Sequence, residues 1–290
     1  MNATKADTLK VPGACLYYEV TGSGPLLLMI AGAPADAGGF AALGQHLADR
    51  FTVVSYDWRG AARSPLDQPP DDQDGLPMQV QGDDAEELLA ALDTGPAYVV
   101  GCSGGALTAL DLAARHPERV DAVVAHEPPA MNLLPDGAEW QAAFRAVAET
   151  YRRDGAGPGM QQFIETALRT GGPDATGQQA PPPEMPDMSQ LPPEMLEGMA
   201  RMQANSEFFL AHLLATTIEH IPDVVALKAA TPRILVGVGE ASQGQMPHRA
   251  ALALAERIGA SPVTFPGDHQ GFATHPGPFA ETVRKALLGS

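Results

Sequence analysis

The sequence is poor in cysteine. Cys15 and Cys102 are the two in 290 residues, too few for a disulfide framework and without the clustered spacing of a metal site. Basic residues are also scarce: 18 Lys and Arg stand against 35 Asp and Glu, a net charge of −17. That excess of negative charge argues against nucleic acid and anionic membrane as partners. Solubility accounts for it equally well, so it names no cationic substrate. No apolar run approaches the ~20 residues that a membrane helix needs. The segment from Met1 to Thr8 lacks a signal-peptide core, and a cytoplasmic protein is expected. There is no internal repeat and no long low-complexity segment. What is present describes a globular chain, 44% hydrophobic and 18% charged, long enough to bury a large core.

Strand and helix patterns alternate along the first 130 residues. Leu26 to Ala31 is a continuous apolar run, the pattern of a strand buried on both faces. Phe51 to Tyr56, Tyr98 to Val100 and Val120 to Ala125 follow as strands. A further strand at Cys15 to Val20 is expected at the edge. Helical spacing marks 40–47, 80–92 and the stretch from Ala106 to His116. The alternation predicts a parallel sheet with right-handed crossovers. From about 131 to 225 the rhythm changes to helical pieces (138–153, 158–170, 194–219) around a Gly/Pro-rich segment, Gly171 to Pro193. Strand patterns resume at 233–238 and 262–265, with helices at 247–258 and 276–288. The expected organisation is a core of residues 1–130 and 226–290, with 131–225 inserted as a helical cap.

Gly101-Cys102-Ser103-Gly104-Gly105 lies between the strand at 98–100 and the helix that follows. Gly-x-Ser-x-Gly in that setting is a nucleophile elbow, a sharp strand-to-helix turn with serine at its tip. Side chains at 101 and 105 would strike the neighbouring strand and helix. The Gly104 N–H and the helix start face the place where an oxyanion would form. A second oxyanion donor is expected from the loop after an early central strand, at Gly32 or Ala33. Cys102 is read as packing away from Ser103.

A serine nucleophile needs a base. His269 lies in the loop after the last strand, so it shares the sheet edge with Ser103. His46, His116, His212, His220 and His248 fall in helical or helix-end patterns, and His275 reads as a cap of the last helix. Two places could supply the acid that orients the base. One is Glu240, after the strand at 233–238. The other is Glu127, 24 residues beyond Ser103, which fits one helix and one strand returning the chain to the same edge. Adjacent strands lie ~4.8 Å apart, within reach of a glutamate. Asp268 adjoins His269 and is expected to point elsewhere.

Over nearly its whole length the chain resembles an α/β-hydrolase. The elbow, Tyr56-Asp57-x-Arg59-Gly60, the helical insertion and Pro266-Gly267-x-His269 carry the resemblance. Most of that family has its acid in a Gly-x-x-Asp pattern after the strand matching 233–238. Here Gly239-Glu240-Ala241-Ser242 has serine in that place, which favours Glu127. A subgroup, the zearalenone-type lactone hydrolases, carries a glutamate after the earlier strand. This chain is similar to it at His126-Glu127-x-Pro129 and at Thr274-His275-Pro276.

The resemblance implies a Ser103–His269–Glu127 triad that cleaves a carboxylic ester or lactone of a fairly large apolar substrate through an acyl-enzyme, with no cofactor and no metal. A cyclase or lyase on a biosynthetic intermediate, or a C–C bond hydrolase, uses the same base chemistry and is the alternative. Serine at the elbow argues against epoxide and haloalkane hydrolysis, which use a carboxylate there. Methionines 185, 188, 195, 199 and 202 and the pair Phe208-Phe209 make an adaptable apolar surface in the insertion. They form either its own core or a substrate-facing wall. Met131, Trp140, Met188, Met199, Phe208 and Phe209 are the candidates for substrate contact. The sequence sets no oligomeric state.

Overall fold

The structure, a computed structural model, describes residues 4–70, 75–92, 95–173 and 193–289. Its eight strands are β1 (Lys5–Val11), β2 (Ala14–Gly22), β3 (Leu26–Ile30), β4 (Thr52–Tyr56), β5 (Ala97–Cys102), β6 (Val120–His126), β7 (Arg233–Gly239) and β8 (Val263–Phe265). They form one sheet in the order β1-β2-β4-β3-β5-β6-β7-β8. β1, β2 and β4 pair antiparallel, and every pairing from β4 to β8 is parallel. β5 therefore lies in the interior of the parallel part.

The central strands are buried because their side chains are apolar on both faces. All five residues of β3 are buried, and so are six of the seven in β6. Helices α1 (Ala41–Leu47) and α11 (Pro276–Leu288), the latter preceded by the one-turn α10 (Gly271–Thr274), cover one face. Helices α2 (Met78–Leu92), α3 (Gly104–Arg115) and α9 (Met246–Ile258) cover the other. Local chemistry sets the ends of α9. Pro247 sits in its first turn, and Gly259 follows its last residue at φ +75°, where glycine avoids the left-handed penalty.

Between β6 and β7 the described chain is helical. It holds α4 (Gly137–Asp154), α5 (Ala156–Ala167), α6 (Pro193–Phe208) and α7 (Leu214–Glu219), then the short α8 (Val224–Ala229). The helix expected over 194–219 is interrupted. Phe209–Leu213 widens to a π-helical turn between α6 and α7. β1 was not marked by the sequence. Its residues are mostly exposed and alternate little, because it pairs on one side alone, against β2.

The strand ends that matter share one register. Cys102 lies opposite His126, and His126 opposite Gly237. The ladder continues one residue further. The Ser103 N–H donates to the His126 carbonyl at 2.9 Å, and the Glu127 N–H donates to the Gly237 carbonyl at 3.0 Å. The ends of β5, β6 and β7 thus form one shelf.

Candidate active site

Ser103 sits on that shelf between β5 and α3 with φ +55° and ψ −125°. For a non-glycine residue this region costs on the order of 1–3 kcal/mol and persists when the surroundings enforce it. Here they do. A Cβ on Gly101 would run into the Gly105 carbonyl, and one on Gly105 would run into the Ile30 carbonyl. The Ser103 side chain does not cap α3, so the helix start leaves its hydroxyl free. Cys102 is buried among the side chains that pack with α1 and α11, and burial raises its thiol far above the ordinary range.

Glu127 follows β6 at φ +47° and is fully buried. Its Oε2 lies 2.7 Å from His269 Nδ1. Its Oε1 accepts the Gly239 N–H at 2.9 Å and the Ser242 hydroxyl. Burial alone would raise this carboxyl. The hydrogen bond and charge of His269, with smaller help from His126 and the Ser242 hydroxyl, outweigh that and hold it below its ordinary value. With Nδ1 engaged, Nε2 of His269 is left to exchange a proton.

The loop after β3 runs beside the nucleophile. A Cβ on Gly32 would stand 2.8 Å from Ser103 Cβ and 3.3 Å from the Gly104 nitrogen. The loop turns tightly, with the Ala35 N–H donating to the Gly32 carbonyl at 3.0 Å. Trp58 Nε1 donates to the Ala31 carbonyl at 2.8 Å. Asp57 receives the Ala37 N–H at 2.8 Å and Arg63 Nε at 2.7 Å. Arg59 makes a buried ion pair with Asp84. The Tyr-Asp-x-Arg-Gly motif is therefore the scaffold beneath this loop.

Gly32, Ala33, Ser103, Gly104 and His269 line one cavity of about 450 Å³. Its far walls come from α4, α5, α6, the π-helical turn and α7, through residues such as Phe144, Met160, Phe163, Met202 and Phe209.

The chain matches the model of the alpha/beta hydrolase fold family over residues 25–195. It belongs to the α/β-hydrolase fold family. It is 34% identical over 284 residues to the "Uncharacterized hydrolase YraK" of Bacillus subtilis (strain 168), covering 97% of this chain and 95% of that one. It is 37% identical over 159 residues to a pimeloyl-[acyl-carrier protein] methyl ester esterase of Chromobacterium violaceum, covering 53% of this chain and 56% of the relative. Among solved structures, a thermophilic esterase from Thermogutta terrifontis superposes with a TM-score of 0.70 at 25% identity, covering 100% of this chain and 98% of the other.

In this hydrolase the other residues singled out from the sequence take different places. Met131 and Phe209 line the cavity. Trp140 does not; it is fully buried between helices and donates to Asp136 Oδ2 at 3.1 Å. Phe208 does not line it either. Its ring is seated against Gly60, where a Cβ would overlap it. Met199 is half-buried on α6 and is not a lining residue. Met188 lies outside the described residues. Glu240 is exposed and accepts the Gly267 N–H at 3.3 Å, while His269 Nδ1 is engaged by Glu127. Asp268 is exposed and receives the Gln270 N–H at 2.9 Å. His275 stands at the start of α11 without a side-chain capping bond, and its Nδ1 lies 2.9 Å from Thr274 Oγ1.

Three neighbours of the site carried no reading of their own. Ser242 could have been found from its place in the Gly-x-x-Asp slot. His126 is fully buried between Phe265, Phe279 and His269. Desolvation lowers it to about 4, so it stays neutral near pH 7. Asn205 has no sequence signal at all.

Proposed function

We propose that the chain is a serine hydrolase that cleaves a carboxylic ester or lactone of a neutral, fairly large apolar substrate. One observation carries the reading: a buried glutamate holds His269 Nδ1 at 2.7 Å on the shelf that presents Ser103 to an apolar cavity. Residues 131–225 act as a cap over the core formed by 1–130 and 226–290. Met131 and Phe209 are the substrate-contacting residues retained from the sequence reading.

The chemistry runs in two halves. His269 Nε2 takes the Ser103 proton as Oγ adds to the carbonyl carbon. The carbonyl electron pair moves onto oxygen, where the Gly104 N–H and that of Gly32 or Ala33 receive it. Loss of one such donor costs roughly 3–4 kcal/mol of barrier. The tetrahedral species collapses, and the leaving alkoxide takes the proton from His269. In a lactone that alcohol stays attached to the acyl group. Water then adds with the same base, and the acid departs. Glu127 keeps Nε2 as the acceptor and stabilises the imidazolium.

The test is hydrolysis of short and long p-nitrophenyl esters and a macrocyclic resorcylic lactone. Wild type, Ser103→Ala, Glu127→Gln and Glu240→Gln are compared, and a fluorophosphonate probes Ser103. Ser103→Ala is expected to abolish turnover and labelling, and Glu127→Gln to lower kcat about 10³–10⁴-fold. Glu240→Gln is expected to stay near wild type. Collapse in Glu240→Gln instead would overturn the acid assignment. A wild type that cleaves no substrate in the panel would favour the lyase, cyclase or C–C hydrolase chemistry.

A further inference from the structure

The loop that carries Gly32 and Ala33 is held from below by core residues. It is also held from above, by an amide on α6. Asn205 Nδ2 donates to the Pro34 carbonyl at 3.0 Å, and its Oδ1 accepts the Ala62 N–H at 2.7 Å. Ala62 is itself a non-glycine residue at φ +47°. Asn205 is 3% exposed, so both bonds are shielded from water. An unpaired partner there would bear a desolvation penalty. The two core loops it joins follow β3 and β4; Asp57 links the same two from the core side, through the Ala37 and Arg63 N–H groups, and Asn205 links them from α6.

The neighbours of Asn205 on α6 are the cavity's own. Met202 stands one turn before it, and Ser206 follows it; both line the cavity, as does Phe209 one turn on. The same helix pairs Arg201 Nε with Asp36 Oδ2 at 3.0 Å and seats Phe208 against Gly60. A helix that touches substrate on one side therefore grips the Gly32–Pro34 loop on the other.

We infer that Asn205 is a positioning residue: its side-chain amide fixes the Gly32–Pro34 backbone in register with Ser103, so the seating of α6 over substrate sets the oxyanion donors. This rests on the hydrolase reading above for its rates. The donors must meet the oxygen as charge develops, so displacement of the loop costs turnover rather than ground-state binding.

Asn205→Asp is the sharpest variant. It keeps the acceptor for Ala62 and replaces the donor to Pro34 with a repelling oxygen. Asn205→Ser and Arg201→Ala are made beside it. Deuterium uptake across 31–40 is followed by mass spectrometry without substrate, with kcat, KM and inhibition by a trifluoromethyl ketone. The expected result for Asn205→Asp is faster uptake in that segment and a kcat about tenfold lower or more, with KM within about threefold. The ketone, which forms the oxyanion, weakens by a similar factor. Asn205→Ser follows in the same direction. Arg201→Ala holds kcat within about twofold, since the Pro34 bond survives.

Unchanged uptake in both Asn205 variants would overturn the proposal whatever the rates. So would faster uptake with unchanged kcat and inhibitor affinity. An equal loss in Arg201→Ala would overturn it too, by tracing the effect to general docking of α6. If wild type hydrolyses no ester, the hydrolase reading fails, while the uptake comparison still decides whether Asn205 holds the loop.

Discussion

Ser242 occupies the slot in which most of the family carries its aspartate, and its hydroxyl is turned to the Glu127 carboxylate, the proposed acid. It donates to Glu127 Oε1, the oxygen that also receives the Gly239 N–H. Oε2 is left for His269. The hydroxyl is one of the forces that lower the Glu127 carboxyl, so removing it raises that group. In Ser242→Ala the acid limb of the kcat/KM profile moves to higher pH, because Glu127 takes up its proton sooner on acidification. The cost at neutral pH is about 1 kcal/mol, near fivefold in kcat. A pH–rate profile with an unmoved acid limb would refute this. Much of the geometry was readable here, since spacing and an empty slot pointed to Glu127, whose Oε2 lies 2.7 Å from His269 Nδ1. His126 and Asn205 were not readable. Their roles come from burial and from partners across the fold, which one chain's spacing does not encode.

At the scale of elements, the buried strands and the elbow follow from runs of apolar residues and from two glycines that backbone carbonyls crowd. Those signals are local. The seating of α6 is not, and the adjacent pair Phe208-Phe209 shows why. Spacing alone cannot say which ring faces substrate when a π-helical turn begins between them. Phe209 enters the cavity and Phe208 rests on Gly60. Phe208→Ala should therefore lower Tm, with a stability loss of about 2 kcal/mol for a partly buried ring, and leave the dependence of KM on acyl length unchanged. Phe209→Ala should change that dependence. Thermal unfolding alongside an ester-length series separates the two. A chain-length effect in Phe208→Ala with no shift in Tm would return that ring to the substrate wall.

For the molecule as a whole, charge and cavity point the same way. The chain carries −17, and among the described residues no Lys, Arg, Asp or Glu lines the cavity. Residues 174–192 contain no Lys or Arg either. An ester ending in a carboxylate should therefore show a kcat/KM at least about tenfold below that of its neutral analogue, from desolvation without a partner. The gap should narrow somewhat with salt as the outer field is screened. Equal rates for the two esters would point to a cation at the site. None of this was legible from composition alone, which left the negative surplus as a matter of solubility. With Glu127 as the proposed acid, the order of the three residues along the chain matters. Ser103 and Glu127 both precede the helical stretch, and His269 follows it. Parting the backbone between α5 and α6 would leave nucleophile and carboxylate on one fragment and the imidazole on the other. Neither fragment holds all three proposed residues, so turnover by the mixture would report that the halves had found each other.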